Sequence, residues 1–316
     1  MRPTQRKLPL AGLVALTATS ALVLSACTDA SQQSGSEETG GSEETSSAAP
    51  TFDPSSVEVN EEAAALLPED VASAGTLTVG SNTEYAPAEF VAEDGRTPVG
   101  FDIDTIHAVG AALGLDVEVQ SADFPAIIPA LGTKYDAGIS SFTITEERME
   151  QANMIAFLNA GSAYAVASGN PDDVDPENLC GLTVAVQTGT IQDEDIAVQS
   201  TECEAAGEEP IEILQYESQA DATTNLVGGK AQVMYADSPV VGYAVEQTGG
   251  QIEQLGEVFD SAPQGIVVAK DDTELAEAIR AAMQGLMDDG TLAEVLGAWG
   301  SEDAALDTAE INPSVG

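Results

Sequence analysis

Ser140-Ser141-Phe142-Thr143-Ile144-Thr145-Glu146-Glu147-Arg148 reads as the end of a strand running into the start of a helix. Hydroxyls, free helix N-terminal amides and a guanidinium therefore fall within one short segment. A guanidinium grips a carboxylate through two parallel hydrogen bonds, so such a cluster suits an anionic group on a ligand. The competing reading is a surface arginine that answers Glu146, Glu147 and Glu150. Cations are scarce enough to make the choice matter. After Cys27 the chain has only Arg96, Arg148, Arg280, Lys134, Lys230 and Lys270 against 54 acidic residues.

Outward from this segment, short strands alternate with helices. Strands are expected at Thr76 to Val79, Leu115 to Val119, Ala137 to Ser141, Ala163 to Ala167, Leu182 to Val186, Ile211 to Gln215, Gln232 to Tyr235 and Ile266 to Ala269. Asp102 is read as the cap of a helix facing inward with Ile103, Ile106, Val109 and Leu113, and ended by Gly114. Asp123 and Pro125 start a helix through Ile127, Ile128 and Leu131. A helix through Leu275, Ile279 and Met283 and a last one ending near Trp299 close the pattern. This alternation predicts open, mixed, mostly parallel sheets with helices on both faces.

Ligands in such sheets sit beyond the carboxyl ends of the strands. Two further segments fall there. In Gln187-Thr188-Gly189-Thr190-Ile191-Gln192 a glycine lets backbone approach an anion, and the new helix offers unpaired N–H groups. The lysine and glycine spacing of a phosphate loop are missing. Asp237, in Ala236-Asp237-Ser238-Pro239, follows a buried strand and serves either as a helix cap or as an anion in the site. Arginine, amide-rich turn and aspartate together describe a site for an α-amino acid.

From about Gly75 to Gly300 the chain resembles the family 3 solute-binding proteins of amino-acid ABC importers. The matching stretches are Gly100-Phe101-Asp102-Ile103-Asp104, Ile127-Ile128-Pro129-Ala130-Leu131, the Ser141 to Arg148 segment, Val186-Gln187-Thr188-Gly189-Thr190 and Ala236-Asp237-Ser238-Pro239, with Asp289-Gly290-Thr291 and Trp299-Gly300 at the end. The resemblance implies a two-lobe α/β fold with the ligand cleft between the lobes. Lobe one would span residues 74–162 plus 263–301 and lobe two residues 163–262, hinged at Ala160 to Ala163 and Ser261 to Gln264. It assigns Arg148 to the ligand α-carboxylate, with Thr143 and the backbone N–H groups of Thr190 and Ile191. Asp237 and Ser141 would take the α-ammonium, and Tyr85 and Phe124 would form aromatic walls. Asn82 and Gln187 would face the ligand side chain, and both are neutral, which favours a neutral polar amino acid such as glutamine or asparagine. Glu84 or Glu89 would supply an anion for lysine or arginine, and the alternative for both is exposure to solvent. A dehydratase-like enzyme on the same scaffold and a ligand sensor for a membrane receptor are the competing functions. Against an enzyme stands the lack of a general acid or base beside the clamp, so none is expected.

The N-terminus addresses the compartment. Arg2, Arg6 and Lys7 precede an apolar run from Leu8 to Leu24, and Leu24-Ser25-Ala26-Cys27 follows. This is the pattern of a secretory signal, residues 1–26, and it resembles the bacterial lipoprotein signal whose cysteine, here Cys27, carries the lipid. A flexible Ser/Gly/Glu tether is expected over residues 27–60, an acidic tail over 302–316, and a lipid-anchored location on the extracellular face of the membrane. Cys180 and Cys203 remain as a pair for an oxidising compartment, and a bridge between them is worth on the order of 3 kcal/mol. Two cysteines and the single His107, read as a surface residue, are too few for a structural zinc site, and no metal or cofactor is expected. The expected partners are an amino acid and a membrane permease, with the chain itself a monomer.

The net charge of −45 makes nucleic acid and anionic lipid poor partners. Self-repulsion on this scale destabilises a compact body in dilute buffer, and screening relieves it. The melting temperature is therefore expected to rise between dilute buffer and molar sodium chloride; equal values in the two would contradict adaptation to a saline exterior.

Overall fold

The computed structural model describes residues 52–315. The expected signal peptide, Cys27 and the expected tether as far as residue 51 lie outside the described residues. Eleven strands occur in chain order: β1 (Thr76–Ser81), β2 (Glu84–Tyr85), β3 (Glu89–Val91), β4 (Pro98–Val99), β5 (Asp116–Ser121), β6 (Ala137–Thr143), β7 (Ala152–Ala167), β8 (Thr183–Gln187), β9 (Glu212–Tyr216), β10 (Val233–Asp237) and β11 (Ile252–Ala269). Eight of them form one sheet in the order β5-β1-β6-β11-β7-β10-β8-β9, and β2, β3 and β4 form a small second sheet. The outer strands of each half run parallel, β5 with β1 and β6 on one side, and β10 with β8 and β9 on the other. Pairings to and between the two central strands are antiparallel.

Those central strands are longer than the sequence pattern predicts. β7 has 16 residues and β11 has 18, so each runs through both halves of the sheet. The sequence pattern predicts only Ala163 to Ala167 of β7 as strand. Every residue from Ala152 to Leu158 is buried, so no period-two alternation exists to announce a strand, and Asn159 is the one exposed position. In β11 the first half is mostly exposed and polar, which hid it in the same way. The pairing of the two strands shifts register between Leu255 and Phe259, between Phe259 and Ala262, and between Gln264 and Gly265. Gly161 sits at this crossing, where an added Cβ would run into Val258 and would lie 2.9 Å from the Phe259 carbonyl oxygen.

Helices cover the sheet much as expected. Thr273–Asp288 buries Leu275, Ile279, Met283 and Leu286 along one stripe, and Asp272 caps it by accepting from the Leu275 N–H at 3.0 Å. Three local expectations are corrected. The helix expected from Asp123 is one turn, Phe124–Ile127, followed by a 3-10 turn Ile128–Ala130, because Pro129 cannot continue an α-helix. Asp102 does not cap its helix, which starts at Phe101 after Gly100, and its carboxylate turns inward instead. His107 is half-buried rather than a free surface residue, and burial lowers its pKa. The disulfide Cys180–Cys203 is formed, with a Cα–Cα separation of 5.6 Å. Among the described residues no helix is long and apolar enough to cross a membrane, and no cluster of His, Cys, Asp or Glu is arranged to hold a metal ion.

Both ends of the described chain are pinned to the body, against the expectation of a tether to residue 60 and a loose acidic tail. Phe52 and Val57 pack on the core, and the Asn60 N–H donates to the Ala112 carbonyl at 2.8 Å. These apolar residues bury enough surface to hold the segment. The tail runs antiparallel to the first half of β7, through bridges Leu158 to Ala305 and Ile155 to Ile311. Asn312 is its clasp. The Met154 N–H donates to Asn312 Oδ1 at 2.9 Å, the Asn312 N–H donates to the Met154 carbonyl at 2.8 Å, and the residue holds a left-handed φ of 53°. Asparagine tolerates that conformation better than alanine. Asn312→Ala is expected to destabilise the protein by about 2 kcal/mol, summing a lost buried hydrogen bond and the backbone strain. The check is a urea denaturation curve; an unchanged midpoint would contradict a structural role for the tail.

Candidate functional site

The segments singled out in the sequence converge on one cavity. β1, β6, β8 and β10 all end at it with their carboxyl ends, as the topology of a mixed α/β sheet predicts. From the first half of the sheet come Asn82, Tyr85, Phe124, Ser141, Thr143 and Arg148. The second half contributes Gln187, Thr190, Ile191 and Asp237. Every candidate ligand-binding residue named from the sequence thus lines the cavity.

Arg148 lies on the short helix Glu146–Gln151, which Thr145 caps by accepting from the Arg148 N–H at 3.2 Å. The guanidinium donates to the Thr143 carbonyl at 2.9 Å and to the Gly189 carbonyl at 3.2 Å, so it bridges the two halves. It also lies over the Phe124 ring at 5.4 Å and the Phe142 ring at 5.9 Å, and these two rings are stacked 4.8 Å apart. That geometry fixes the plane of the fork and leaves donors free. The surface ion-pair reading fails: among the described residues the one salt bridge joins Arg280 and Glu277. Burial lowers the Arg148 pKa, against the pull of Glu194 and Asp237. A half-buried cation without a paired anion favours an anionic ligand group.

Opposite stands Asp237. It occupies the N-cap position of the helix Ser238–Gln247 but makes no side-chain cap bond. Gln192 Nε2 donates to Oδ1 at 2.8 Å and Gln264 Nε2 donates to Oδ2 at 2.8 Å, while the Tyr85 hydroxyl accepts from its backbone N–H at 3.2 Å. Burial raises the Asp237 pKa, and the bonds from Gln192, Gln264 and Tyr85 and the charge of Arg148 work against that. The turn between them is set by Gly189, in a left-handed φ of 77°, and by Thr190, whose hydroxyl accepts from the Asp193 N–H at 3.1 Å and donates to the Gln187 carbonyl at 2.8 Å. Helix Ile191–Ala206 thus points its amino end at the cavity.

The amides assigned to the ligand side chain are engaged with each other. Gln187 Nε2 donates to Asn82 Oδ1 at 3.1 Å and to the Glu217 carbonyl at 3.1 Å, and Asn82 Nδ2 donates to the Ala122 carbonyl at 3.0 Å. Glu84 is exposed, but Glu89 is fully buried and lines the cavity. Its Oε1 accepts from Ser140 Oγ at 2.7 Å, and its Oε2 has no partner. Glu89, named from the sequence as one possible anion for a cationic side chain, lies in the lining rather than in solvent, and Ser140 and Gln192, which were not assigned from the sequence, complete it. Glu89 had left one signal, a single charge between Ala88 and Phe90 in the aromatic loop. Gln192 and Ser140 left none beyond adjacency to assigned residues.

Comparison with known proteins agrees with this geometry. Residues 77–302 match the model of the bacterial extracellular solute-binding proteins, family 3. The arginine-binding protein ArgT of Corynebacterium glutamicum is 41% identical over 254 residues, covering 79% of this chain and 83% of that protein. Among solved structures, an ancestral arginine-binding protein bound to arginine shares 33% identity with a TM-score of 0.66, covering 71% of this chain and 98% of its own. An ancestral arginine-binding protein bound to glutamine shares 34% with a TM-score of 0.65, covering 71% and 97%. The chain belongs to the family 3 bacterial extracellular solute-binding proteins.

Proposed function

We propose that this protein captures an α-amino acid with a cationic side chain, arginine foremost, outside the membrane and delivers it to an ABC importer permease. The observation that carries the reading is Glu89, fully buried in the cavity with one carboxyl oxygen unpartnered. A cationic side chain supplies what that oxygen lacks. Asn82 and Gln187, which had favoured a neutral polar ligand, already satisfy each other and nearby carbonyls. Their capacity to read a ligand amide is reduced accordingly. The names of the arginine-binding relatives support the same choice.

In this reading Arg148, Thr143 and the Thr190 and Ile191 amides take the α-carboxylate. Asp237 and Ser141 take the α-ammonium, Tyr85 and Phe124 wall the side chain, and Glu89 meets its charge. Residues 74–162 with 263–301 act as one lobe and 163–262 as the other, flexing at Ala160 to Ala163 and Ser261 to Gln264, where β7 and β11 lose register. A ligand held by both lobes favours the closed state over the open one. Cys27 carries the lipid that keeps the protein at the outer face of the membrane, and the permease receives the closed form.

A thermal-shift screen of the secreted chain against the twenty amino acids in high salt tests this, because a ligand of the native state raises its melting temperature. Arginine is expected to give the largest shift, and the largest shift with glutamine or asparagine would return the reading to a neutral ligand. Arg148→Ala is expected to weaken binding by about a hundredfold or more with the fold intact, from roughly 3 kcal/mol for an unpaired ligand carboxylate. Unchanged affinity in that variant would remove Arg148 from the site.

A further inference from the structure

Two acidic side chains meet at the wall of the cavity with no cation between them. Glu89 and Asp102 are both 0% exposed. Each has one oxygen engaged: Ser140 Oγ donates to Glu89 Oε1 at 2.7 Å, and the Ser141 N–H donates to Asp102 Oδ2 at 2.6 Å. Glu89 Oε2 and Asp102 Oδ1 have no donor at all, and the two side chains are within hydrogen-bonding reach of one another. As two carboxylates they would only accept and repel, in a site of low dielectric; with one proton between them both oxygens are satisfied.

The backbone holds them together. Gly100 has a φ of 130° and packs directly on the Ala88 carbonyl, leaving no room for a Cβ. This lets the Asp102 N–H donate to the Ala88 carbonyl at 2.9 Å and the Phe101 N–H to the Pro87 carbonyl at 3.2 Å, which sets Asp102 beside the loop that carries Glu89. The neighbouring elements add Asp237 from the end of β10, the Tyr85 hydroxyl from β2 and the Arg148 guanidinium, the cavity's single cationic side chain. Burial and then the charge of Asp102 push Glu89 well above the usual carboxyl range. Burial raises Asp102 to about 7, against the Ser141 N–H bond.

We infer that Glu89 and Asp102 share one proton across these two oxygens while the cavity is empty, and that a cationic side chain entering the cavity expels it. The Glu89 O–H bond breaks, the proton passes to buffer, and the carboxylate left behind pairs with the ligand cation. Asp102 acts as a positioning residue: it holds the proton through Glu89 and fixes Ser141, which sits at a φ of 48°. The inference rests on the cationic-ligand reading and adds a regulation to it. Because the ligand lowers the pKa of the pair, affinity rises with pH, by about tenfold per unit over the range where the empty pair holds its proton and the complex does not. Outside that range the dependence vanishes.

Isothermal titration of the secreted chain with L-arginine, in buffers of different ionisation enthalpy at about pH 8, counts the protons. About one released per arginine is expected. Asp102→Asn keeps an oxygen for the Ser141 N–H but removes the second charge; burial of Glu89 remains, so the pH range over which the proton is released should move downward. Arginine binding to the wild type without proton release would overturn the inference and leave the proposed function standing. A pH range of release left unchanged by Asp102→Asn would assign the proton to another group, Asp237 first, and overturn it too. Failure of the wild type to bind arginine would sink both. Should Asp102→Asn not fold or bind, infrared difference spectra of the wild type decide: arginine should erase a protonated-carboxyl band, and an unchanged band contradicts the shared proton.

Discussion

The antiparallel pairing of β7 with β11 is the constraint on which the rest of the molecule depends. Two long strands run through both halves of the sheet and are the elements that join them in the hydrogen-bond ladder. Away from the middle they pair regularly, and in the middle the register slips three times around Gly161 and Phe259. A slipped ladder has fewer fixed hydrogen bonds to lose on bending. The parallel strands on each side end at the same level, so their carboxyl ends face one another across a single cleft. The tail from Ala305 to Asn312 adds a further edge to β7 on one side of the slip, which stiffens that half relative to the crossing.

Within the cleft the governing physics is the cost of burying charge. In a chain with 54 acidic residues and nine basic ones, a cation inside is a specific commitment. Arg148 is held by two carbonyls and two aromatic rings rather than by a carboxylate, so its charge is oriented but unneutralised. Asp237 is held by two glutamine amides in the same spirit. In the proposed function a zwitterionic backbone completes both, and this is a stronger source of selectivity than surface electrostatics, which salt screens. Glu89 and Asp102 extend the argument one layer out.

Much of this was legible in the sequence because the site is built at strand ends, where a change from apolar to polar residues marks the boundary. Ser141 and Thr143 lie at the end of β6 and Arg148 follows it; Gln187 ends β8 and Thr188 to Ile191 follow it; Asp237 closes β10. Strand and helix alternation announced the mixed sheet, while the division into two halves came from the family resemblance. What escaped was long-range or buried on all sides. The run Ala152 to Leu158 carries no alternation because both its faces are covered. Asp102 has the local signature of a cap, and only the fold turns its carboxylate toward Ser141, 39 residues away. Glu89 and Asp102 become neighbours through the close approach at Gly100, which no spacing rule encodes. The tail read only as acidic, and that composition hides the contacts of Ala309 and Asn312.

The claim at the centre of this account is that the cavity reads the charge of a ligand side chain through Glu89. Citrulline has the shape of arginine and lacks its charge, so a calorimetric comparison of the two isolates that term. The account predicts that citrulline binds at least about a hundredfold more weakly than arginine, from the roughly 3 kcal/mol attached to an uncompensated buried charge. Equal affinity for the two would show that side-chain charge is not read, and would contradict the account.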